Sequence, residues 1–209
     1  MYMKNTEIAI IGLGYVGLPL FIEFAKHFKV IGFDVNNVRI NELKNNIDKT
    51  LEITEQKLAS TTGIFSNDIN DIKNSNVYII TVPTPVDASN YPDLSALKNA
   101  SEIVGSIMSK EDIVIYESTV FPGATEEECV PILEAASGLK MNNNFYVGYS
   151  PERINPGDKT RSVKDIVKVT SGSNPKTAEF IDSLYNKIVT AGTFKASSIK
   201  VAEASKVIE

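Results

Sequence analysis

The sequence predicts a doubly wound α/β fold, in which a mostly parallel sheet carries helices on both faces. Short, wholly apolar runs such as residues 8–11 indicate strands that are buried on both sides. These runs alternate with amphipathic helical stretches along all 209 residues. The first strand, helix and second strand fit within about 30 residues, which is the usual size of a β-α-β unit.

Each predicted element follows from its apolar pattern. The predicted strands are residues 8–11, 29–34, 76–82, 112–117, 145–149 and 166–170, and the predicted helices are residues 15–28, 37–46, 93–109, 125–136, 175–189 and 196–209. Asp93 is a candidate N-cap, and three glutamates suit the positive end of the helix that begins at Thr125. Residues 87–92 and 155–159 are rich in Pro, Gly, Asn and Asp and are predicted loops. The last helix has no Gly or Pro stop signal, so we expect a helix cut short and a chain that is part of something longer.

Composition excludes several classes of protein. Hydrophobic residues make up 43% and charged residues 22%, which is typical of a globular domain and not of a disordered chain. With 21 Lys and Arg against 26 Asp and Glu, the net charge is −5. The sequence has no run of basic residues, which argues against a nucleic-acid-binding protein. The absence of an apolar run of about 18–20 residues argues against a membrane span. Without a signal-peptide pattern, the expected location is the cytoplasm.

The cysteine and histidine content predicts no metal site. Cys129 is the single cysteine and His27 the single histidine, so neither a disulfide framework nor a Cys- or His-rich metal cluster is possible within the chain. Two glutamates precede Cys129 in a predicted helix and oppose formation of a thiolate, so we interpret it as a packing residue. His27 lies near the end of the first helix and is predicted to be a surface residue or one that faces the helix dipole.

A glycine motif links the first strand to the first helix. Residues 12–17, GLGYVG, fit the pattern G-x-G-x-x-G in the strand–turn–helix context that gives the pattern its meaning. Gly12 allows the tight turn, Gly14 lets the backbone approach a pyrophosphate, and Gly17 permits close packing of helix and strand. Tyr15 and Val16 complete the motif, and the helix N-terminus offers N–H groups to phosphates. The motif therefore predicts a Rossmann-type dinucleotide site.

An acidic residue closes the second strand. Asp34 lies 20 residues after Gly14 and is expected to accept hydrogen bonds from the adenosine ribose, which favours NAD over NADP. Arg39 is the opposing signal because it could reach a 2′-phosphate; stacking on adenine or simple solvation are the alternatives.

Three further loops follow predicted strands, at the sheet edge where such folds bind ligands. Residues 81–85 (TVPTP) follow one strand and residues 117–123 (ESTVFPG) the next. Within the second loop, Ser118 and Thr119 either contact the ligand or cap the following helix. The third loop holds Glu152 and Arg153, which are either functional or a solvated turn pair.

Taken together, the motifs resemble those of the UDP-glucose/GDP-mannose dehydrogenase family. The resemblance is carried by residues 12–19 (GLGYVGLP), 81–85, 117–123, 150–157 (SPERINPG) and 200–209 (KVAEASKVIE), and it covers essentially the whole chain in order. It is nearest to the UDP-N-acetylglucosamine and UDP-N-acetylgalactosamine 6-dehydrogenases of bacterial surface-polysaccharide (capsule) synthesis.

This resemblance implies an oxidoreductase that converts the C6 alcohol of a UDP-N-acetylhexosamine to a carboxylate while two NAD⁺ are reduced in turn. It implies an NAD-binding domain over residues 1–195 and the truncated start of a central dimerisation helix over residues 196–209. The family's UDP-binding domain and its cysteine nucleophile would be absent, so the isolated chain is expected to bind NAD without turnover. The full-length protein is expected to be a homodimer.

The resemblance also assigns roles to individual residues. The residues that match cofactor positions of the family are Gly12, Gly14, Tyr15, Val16, Gly17, Asp34, Arg39, Val82, Thr84, Ser118 and Thr119. Thr119 matches a threonine that assists catalysis, Glu152 an acid/base or thioester-hydrolysis residue, and Lys206 a lysine that stabilises an oxyanion. Glu152 and Arg153 are the candidate substrate contacts. Pro156 stands where UDP-glucose enzymes have a second glutamate, which favours the N-acetylhexosamine branch.

Two alternatives remain open. One is a hydroxyacid or 6-phosphogluconate-type dehydrogenase, which shares the first β-α-β unit. The other is a stand-alone NAD-binding module without turnover.

Overall fold

A single eight-stranded sheet organises the described part of the chain. The computed structural model describes residues 5–86, 91–153 and 162–208. The strands are β1 (Glu7–Ile11), β2 (Lys29–Phe33), β3 (Ile64–Ser66), β4 (Val77–Ile80), β5 (Ile113–Tyr116), β6 (Tyr146–Tyr149), β7 (Lys168–Gly172) and β8 (Thr193–Lys195). They lie in the order β3-β2-β1-β4-β5-β6-β7-β8. All neighbouring pairs are parallel except β6 and β7, which confirms the predicted mostly parallel sheet.

Helices connect the strands. They are α1 (Gly17–Phe24), α2 (Asn37–Lys44), α3 (Glu55–Ala59), α4 (Ile69–Ile72), α5 (Ser95–Ile107), α6 (Val130–Ser137), α7 (Pro175–Tyr185) and α8 (Ile199–Ile208). A π-helical turn, Thr125–Cys129, leads into α6. Pro131 follows this turn, and because proline has no N–H and clashes with the carbonyl four residues back, a regular α-turn is disfavoured there. None of the helices within the described ranges is long and apolar enough to cross a membrane.

The core lies on both faces of the sheet, as predicted. Along β1, Ile8 and Ile10 point to the layer that contains α1, α2 and α7, whereas Ala9 and Ile11 point to the layer that contains α5, α6 and α8. Side chains of a strand alternate between faces, so a run that is apolar at every position buries both. Complete burial of such side chains contributes roughly 1.5–3 kcal/mol each.

Several local predictions differ from the structure. The predictions omit α3, β3, α4 and β8, which are short elements of three to five residues. Asp93 is not the N-cap of α5; Leu94 occupies that position, and Asp93, one residue earlier, accepts the Ser95 N–H with its carboxylate at 2.9 Å. In the predicted loop at 87–92, Val86 and Pro92 form an antiparallel bridge, while residues 87–90 and the predicted loop at 155–159 lie outside the described residues.

Candidate functional site

A cleft opens at the carboxyl ends of the central strands. The chain runs outward from β1 to β2 and β3, then crosses back to β4 on the other side of β1, so the order reverses between β1 and β4. Open α/β sheets bind ligands at this switch point. The cleft has a volume of about 1220 Å³ and is lined by residues that follow β1, β2, β4 and β5, by one face of α5, and by Glu152 and Lys206.

The glycine turn forms one wall of the cleft. Gly12 has a φ of +93°, which L side chains rarely adopt. A Cβ at Gly17 would lie 1.9 Å from the Gly12 carbonyl oxygen and 2.4 Å from Thr81 Oγ1, so only glycine fits there. A Cβ at Gly14 would have no protein atom within 4 Å, and Gly14 faces the cleft. No side chain caps α1 at Val16. The Leu18 N–H already donates to the Gly14 carbonyl at 3.1 Å and Pro19 has no N–H, so the backbone N–H groups offered to an anion are those of the glycine turn up to Gly17.

Asp34 fastens this turn to the end of β2. Its Oδ2 accepts the Leu13 N–H at 2.8 Å, and its Oδ1 accepts the Asn36 N–H at 2.9 Å. The side chain lines the cleft and is partly exposed. A carboxylate oxygen can accept a second hydrogen bond, so the residue retains capacity for ligand hydroxyls.

Arg39 lies behind the turn instead of in the cleft. Its Nε donates to the Leu13 carbonyl at 2.9 Å, and its Nη2 pairs with Asp48 at 2.8 Å. The alternative of a solvated Arg39 is wrong, since the residue is only 9% exposed. Burial works to raise the pKa of Asp48, but hydrogen bonds from Thr50, the Ile53 N–H and Arg39 outweigh it and hold the pKa below its usual value. The pair is therefore charged and supports the turn from inside.

The loops after β4 and β5 form the opposite wall. Thr81 Oγ1 donates to the Gly12 carbonyl at 2.7 Å, which ties this wall to the glycine turn. Ser118 Oγ donates to the Val82 carbonyl, and Thr84 Oγ1 donates to the Thr119 carbonyl, each at 2.5 Å. Neither Ser118 nor Thr119 caps the following helix, which begins at Thr125; the capping alternative is wrong.

A buried charge cluster, which the sequence did not predict, lies at the far end of this wall. Lys168 Nζ lies 2.5 Å from Glu117 Oε2 and 3.4 Å from Glu152 Oε2. Tyr185 donates its hydroxyl to Glu117 Oε1. Burial raises the pKa of Glu117, with Lys168 opposing it. Burial works to lower the pKa of Lys168, but Glu117 and Glu152 outweigh it and raise the pKa, so the ammonium stays charged.

Another buried carboxylate, that of Glu203, anchors α8. Glu203 is fully buried and accepts the backbone N–H of Gly123 at 2.5 Å and that of Thr125 at 2.9 Å. These amides lead into the first turn of the helix after β5, where helical N–H groups have no internal partner. Lys206, one turn further along α8, reaches the cleft.

Comparison with known proteins identifies the family. Residues 6–189 match the UDP-glucose/GDP-mannose dehydrogenase family, NAD binding domain. The chain belongs to this family. Its fold is the family's NAD-binding domain, and NAD is the corresponding cofactor. This membership argues against the alternative of a hydroxyacid or 6-phosphogluconate-type dehydrogenase.

Individual relatives and solved structures agree with this family assignment. The chain is 58% identical over 208 residues to a UDP-N-acetyl-D-glucosamine 6-dehydrogenase of Pseudomonas aeruginosa, covering 99% of this chain and 49% of the relative. It is 56% identical to Protein CapL of Staphylococcus aureus, covering 98% of this chain and 48% of the relative. The structure of a UDP-D-ManNAc dehydrogenase from Pyrococcus horikoshii superposes with a TM-score of 0.86 at 32% identity, covering 94% of this chain and 48% of that one. The chain thus spans about half the length of the curated relatives it matches.

The cleft of this NAD-binding domain gathers most of the predicted residues. Those that line it are Gly12, Gly14, Tyr15, Val16, Asp34, Val82, Thr84, Ser118, Thr119, Glu152 and Lys206. Gly17 and Arg39 support the turn from behind. Arg153 donates from Nη1 to the Val167 carbonyl at 3.1 Å and does not line the cleft.

Cys129 and His27 lie outside the site. Cys129 is completely buried, and burial raises the pKa of its thiol to about 11, which agrees with the packing role predicted for it. His27 is exposed, with its ring against Phe28. Within the described ranges, no group of three or more His, Cys, Asp or Glu side chains could hold a metal ion.

Proposed function

We propose that this chain is the NAD-binding half of a UDP-N-acetylhexosamine 6-dehydrogenase that serves bacterial surface-polysaccharide synthesis. The supporting observation is the cleft itself, where a glycine turn, a helix N-terminus without a side-chain cap and Asp34 lie along one wall. The names of two relatives that are 58% and 59% identical to the chain support the substrate class. The reaction oxidises a C6 alcohol to a carboxylate with two NAD⁺ and one water, which supplies the second carboxylate oxygen, and it yields two NADH and three protons. A UDP-sugar substrate and NAD would place it in the cytoplasm.

In this proposal the two walls hold different parts of the cofactor. The N–H groups at the start of α1 bind the pyrophosphate, and the space above Gly14 lets it approach. Asp34 accepts the adenosine ribose hydroxyls and repels a 2′-phosphate, which selects NAD over NADP. Ser118 and Thr119 then contact the nicotinamide half. When bound, NAD accepts a hydride from the substrate carbon.

The polar groups at the far end of the cleft would serve the sugar. Glu152 presents a carboxylate that can hold or release a proton, and Lys206 presents an ammonium that can stabilise an oxyanion. We assign residues 1–195 to the cofactor domain and residues 196–209 to the start of a helix that joins it to a substrate-binding half and to a second subunit. The chain alone is therefore expected to bind NAD and to form no uronic acid.

Calorimetric titration with NAD⁺ and NADP⁺ tests the cofactor site. NAD⁺ is expected to bind more tightly, and Asp34→Asn is expected to narrow the preference about tenfold, because the charge that repels the 2′-phosphate is lost. Gly14→Ala is expected to keep the fold and weaken NAD⁺ binding, since its Cβ meets only the space proposed for the pyrophosphate.

Gly138→Ala is the matched control. A Cβ there also meets no atom within 4 Å, but Gly138 ends α6 away from the cleft. Its φ of +70° predicts a loss of stability without a loss of NAD⁺ affinity. Unchanged NAD⁺ binding by folded Gly14→Ala would contradict the proposed position of the pyrophosphate.

A further inference from the structure

The cluster of Glu117, Lys168 and Glu152 places two carboxylates and one ammonium in the same wall of the cleft. Glu117 and Glu152 line the cleft, whereas Lys168 lies behind them. The side chains of Glu117 and Lys168 are 0% and 3% exposed, so the cluster is shielded from solvent ions. Glu152 is fixed on its other side, because its Oε1 accepts the Arg153 N–H at 2.6 Å.

The topology places this cluster opposite the adenosine end of the cleft. Asp34 follows β2 on one side of the switch point between β1 and β4, and Glu117 follows β5 on the other side. A dinucleotide lies across this crevice with its pyrophosphate at the N-terminus of α1. If Asp34 binds the adenosine ribose, the nicotinamide extends toward β4, β5 and β6, where the cluster lies.

Charge at that end distinguishes the two redox states of the cofactor. The nicotinamide ring carries a positive charge in NAD⁺ and none in NADH, while the rest of the molecule is the same. A carboxylate in a shielded wall attracts the oxidised ring and has little effect on the reduced ring. Lys206 also lines the cleft and acts in the opposite sense. The ratio of the affinities for NAD⁺ and NADH therefore reports the net charge of the cleft wall beside the nicotinamide ring.

We propose that Glu117, Lys168 and Glu152 face the nicotinamide end of the bound cofactor, and that their combined charge sets the preference of the cleft for NAD⁺ over NADH. The inference rests on the NAD site of the proposed function and does not depend on the identity of the sugar. It also gives the cluster a purpose in a two-step oxidation, since NADH must leave after the first step and a second NAD⁺ must enter.

The test is the ratio of dissociation constants, Kd(NADH)/Kd(NAD⁺), measured with this chain by calorimetry at fixed pH and ionic strength. Glu152→Gln removes one negative charge at nearly constant shape and is expected to lower the ratio about tenfold. Lys168→Met removes the positive charge and is expected to raise the ratio by a similar factor. Lys195→Met is the control, because Lys195 pairs with Glu179 on the surface and is expected to leave the ratio unchanged.

The outcomes separate the inference from the cofactor site. Equal weakening of NAD⁺ and NADH by Glu152→Gln, with an unchanged ratio, would overturn the inference and leave the NAD site intact. Binding of neither cofactor by the unmodified chain would overturn both. Lys168→Met removes the ammonium that pairs with Glu117 and Glu152, so the decision rests on Glu152→Gln if the lysine variant does not fold.

Discussion

Replacement of Glu203 by Gln is predicted to destabilise the protein strongly, although it alters only one atom. In the structure each Glu203 oxygen accepts one backbone N–H, from Gly123 and from Thr125. An amide keeps one acceptor oxygen and turns an NH₂ group toward the other N–H. One charge-assisted hydrogen bond is lost, and a buried N–H is left opposite a second donor.

The size of the effect follows from these contacts. A hydrogen bond to a charged group contributes roughly 1.5–3 kcal/mol, and an unsatisfied buried donor costs about 1–3 kcal/mol, with overlap between the two. We expect a loss of about 3 kcal/mol in the free energy of unfolding. For a domain of this size, Tm falls by about 2–4 °C per kcal/mol, so the expected decrease is about 6–12 °C.

Thermal unfolding of the unmodified chain, Glu203→Gln and Lys200→Gln provides the assay. Lys200 lies on the same helix, but its ion pair with Glu127 is exposed, so Lys200→Gln is expected to leave Tm nearly unchanged. Hydrogen exchange gives a local readout, because one of the two amides of Gly123 and Thr125 loses its acceptor in the Glu203 variant and neither does in the Lys200 variant. A Tm for Glu203→Gln within about 2 °C of the unmodified chain would refute the reasoning.

Two further predictions concern the buried carboxyl group of Asp112 and the buried thiol of Cys129. Burial raises the pKa of Asp112 from its ordinary value of 3.8 to about 6. Between these two pH values the native state binds a proton that the unfolded state has released, so stability falls as the pH rises from about 4 to 6. Asp112→Asn is expected to remove a cost of about 3 kcal/mol at pH 7 and to change little at pH 4; urea unfolding that finds the same difference at both pH values would contradict this. Cys129 is expected to resist a thiol reagent at pH 8 in the native state and to react only on unfolding, so its immediate modification would contradict the packing described here.

The central strands could be predicted because burial on both faces leaves an unmistakable pattern. The edge strands of the sheet have a weaker apolar pattern in the sequence. β3 has only three residues, the first of them, Ile64, exposed, and β8 has Phe194 exposed in the middle of three residues. Both edge strands lack the continuous apolar run that marked β1 and β4. Their formation depends on pairing with β2 and β7, which is a tertiary contact.

In the site, too, features that depend on tertiary contacts could not be predicted from the sequence. The turn motif, the order of the elements and the spacing to Asp34 are local features, and the cleft wall could be predicted from them. Arg39 could not be placed, because its partner Asp48 lies in a segment that carries no motif. Lys168 lies between Val167 and Val169 in the predicted strand at residues 166–170, which is a signal for a buried partner, since lysine is rarely buried unpaired. Its partner Glu117 is 51 residues away, however, and nothing in the sequence indicates that these two residues meet in the folded protein.

The reversal of direction between β6 and β7 explains why a cation reaches this edge at all. The carboxyl ends of parallel strands lie at the same edge of a sheet. Glu117 after β5 and Glu152 after β6 therefore lie close together because these two strands are parallel neighbours. β7 runs the other way, with Tyr149 opposite Ser171 and Gly148 opposite Gly172, and continuing this register sets Lys168 opposite Glu152. Had β7 been parallel, its first residue, Lys168, would lie at the far edge of the sheet, away from Glu117 and Glu152. The antiparallel pair is therefore the part of the topology that brings the Lys168 ammonium to the carboxylate-rich end of the cleft.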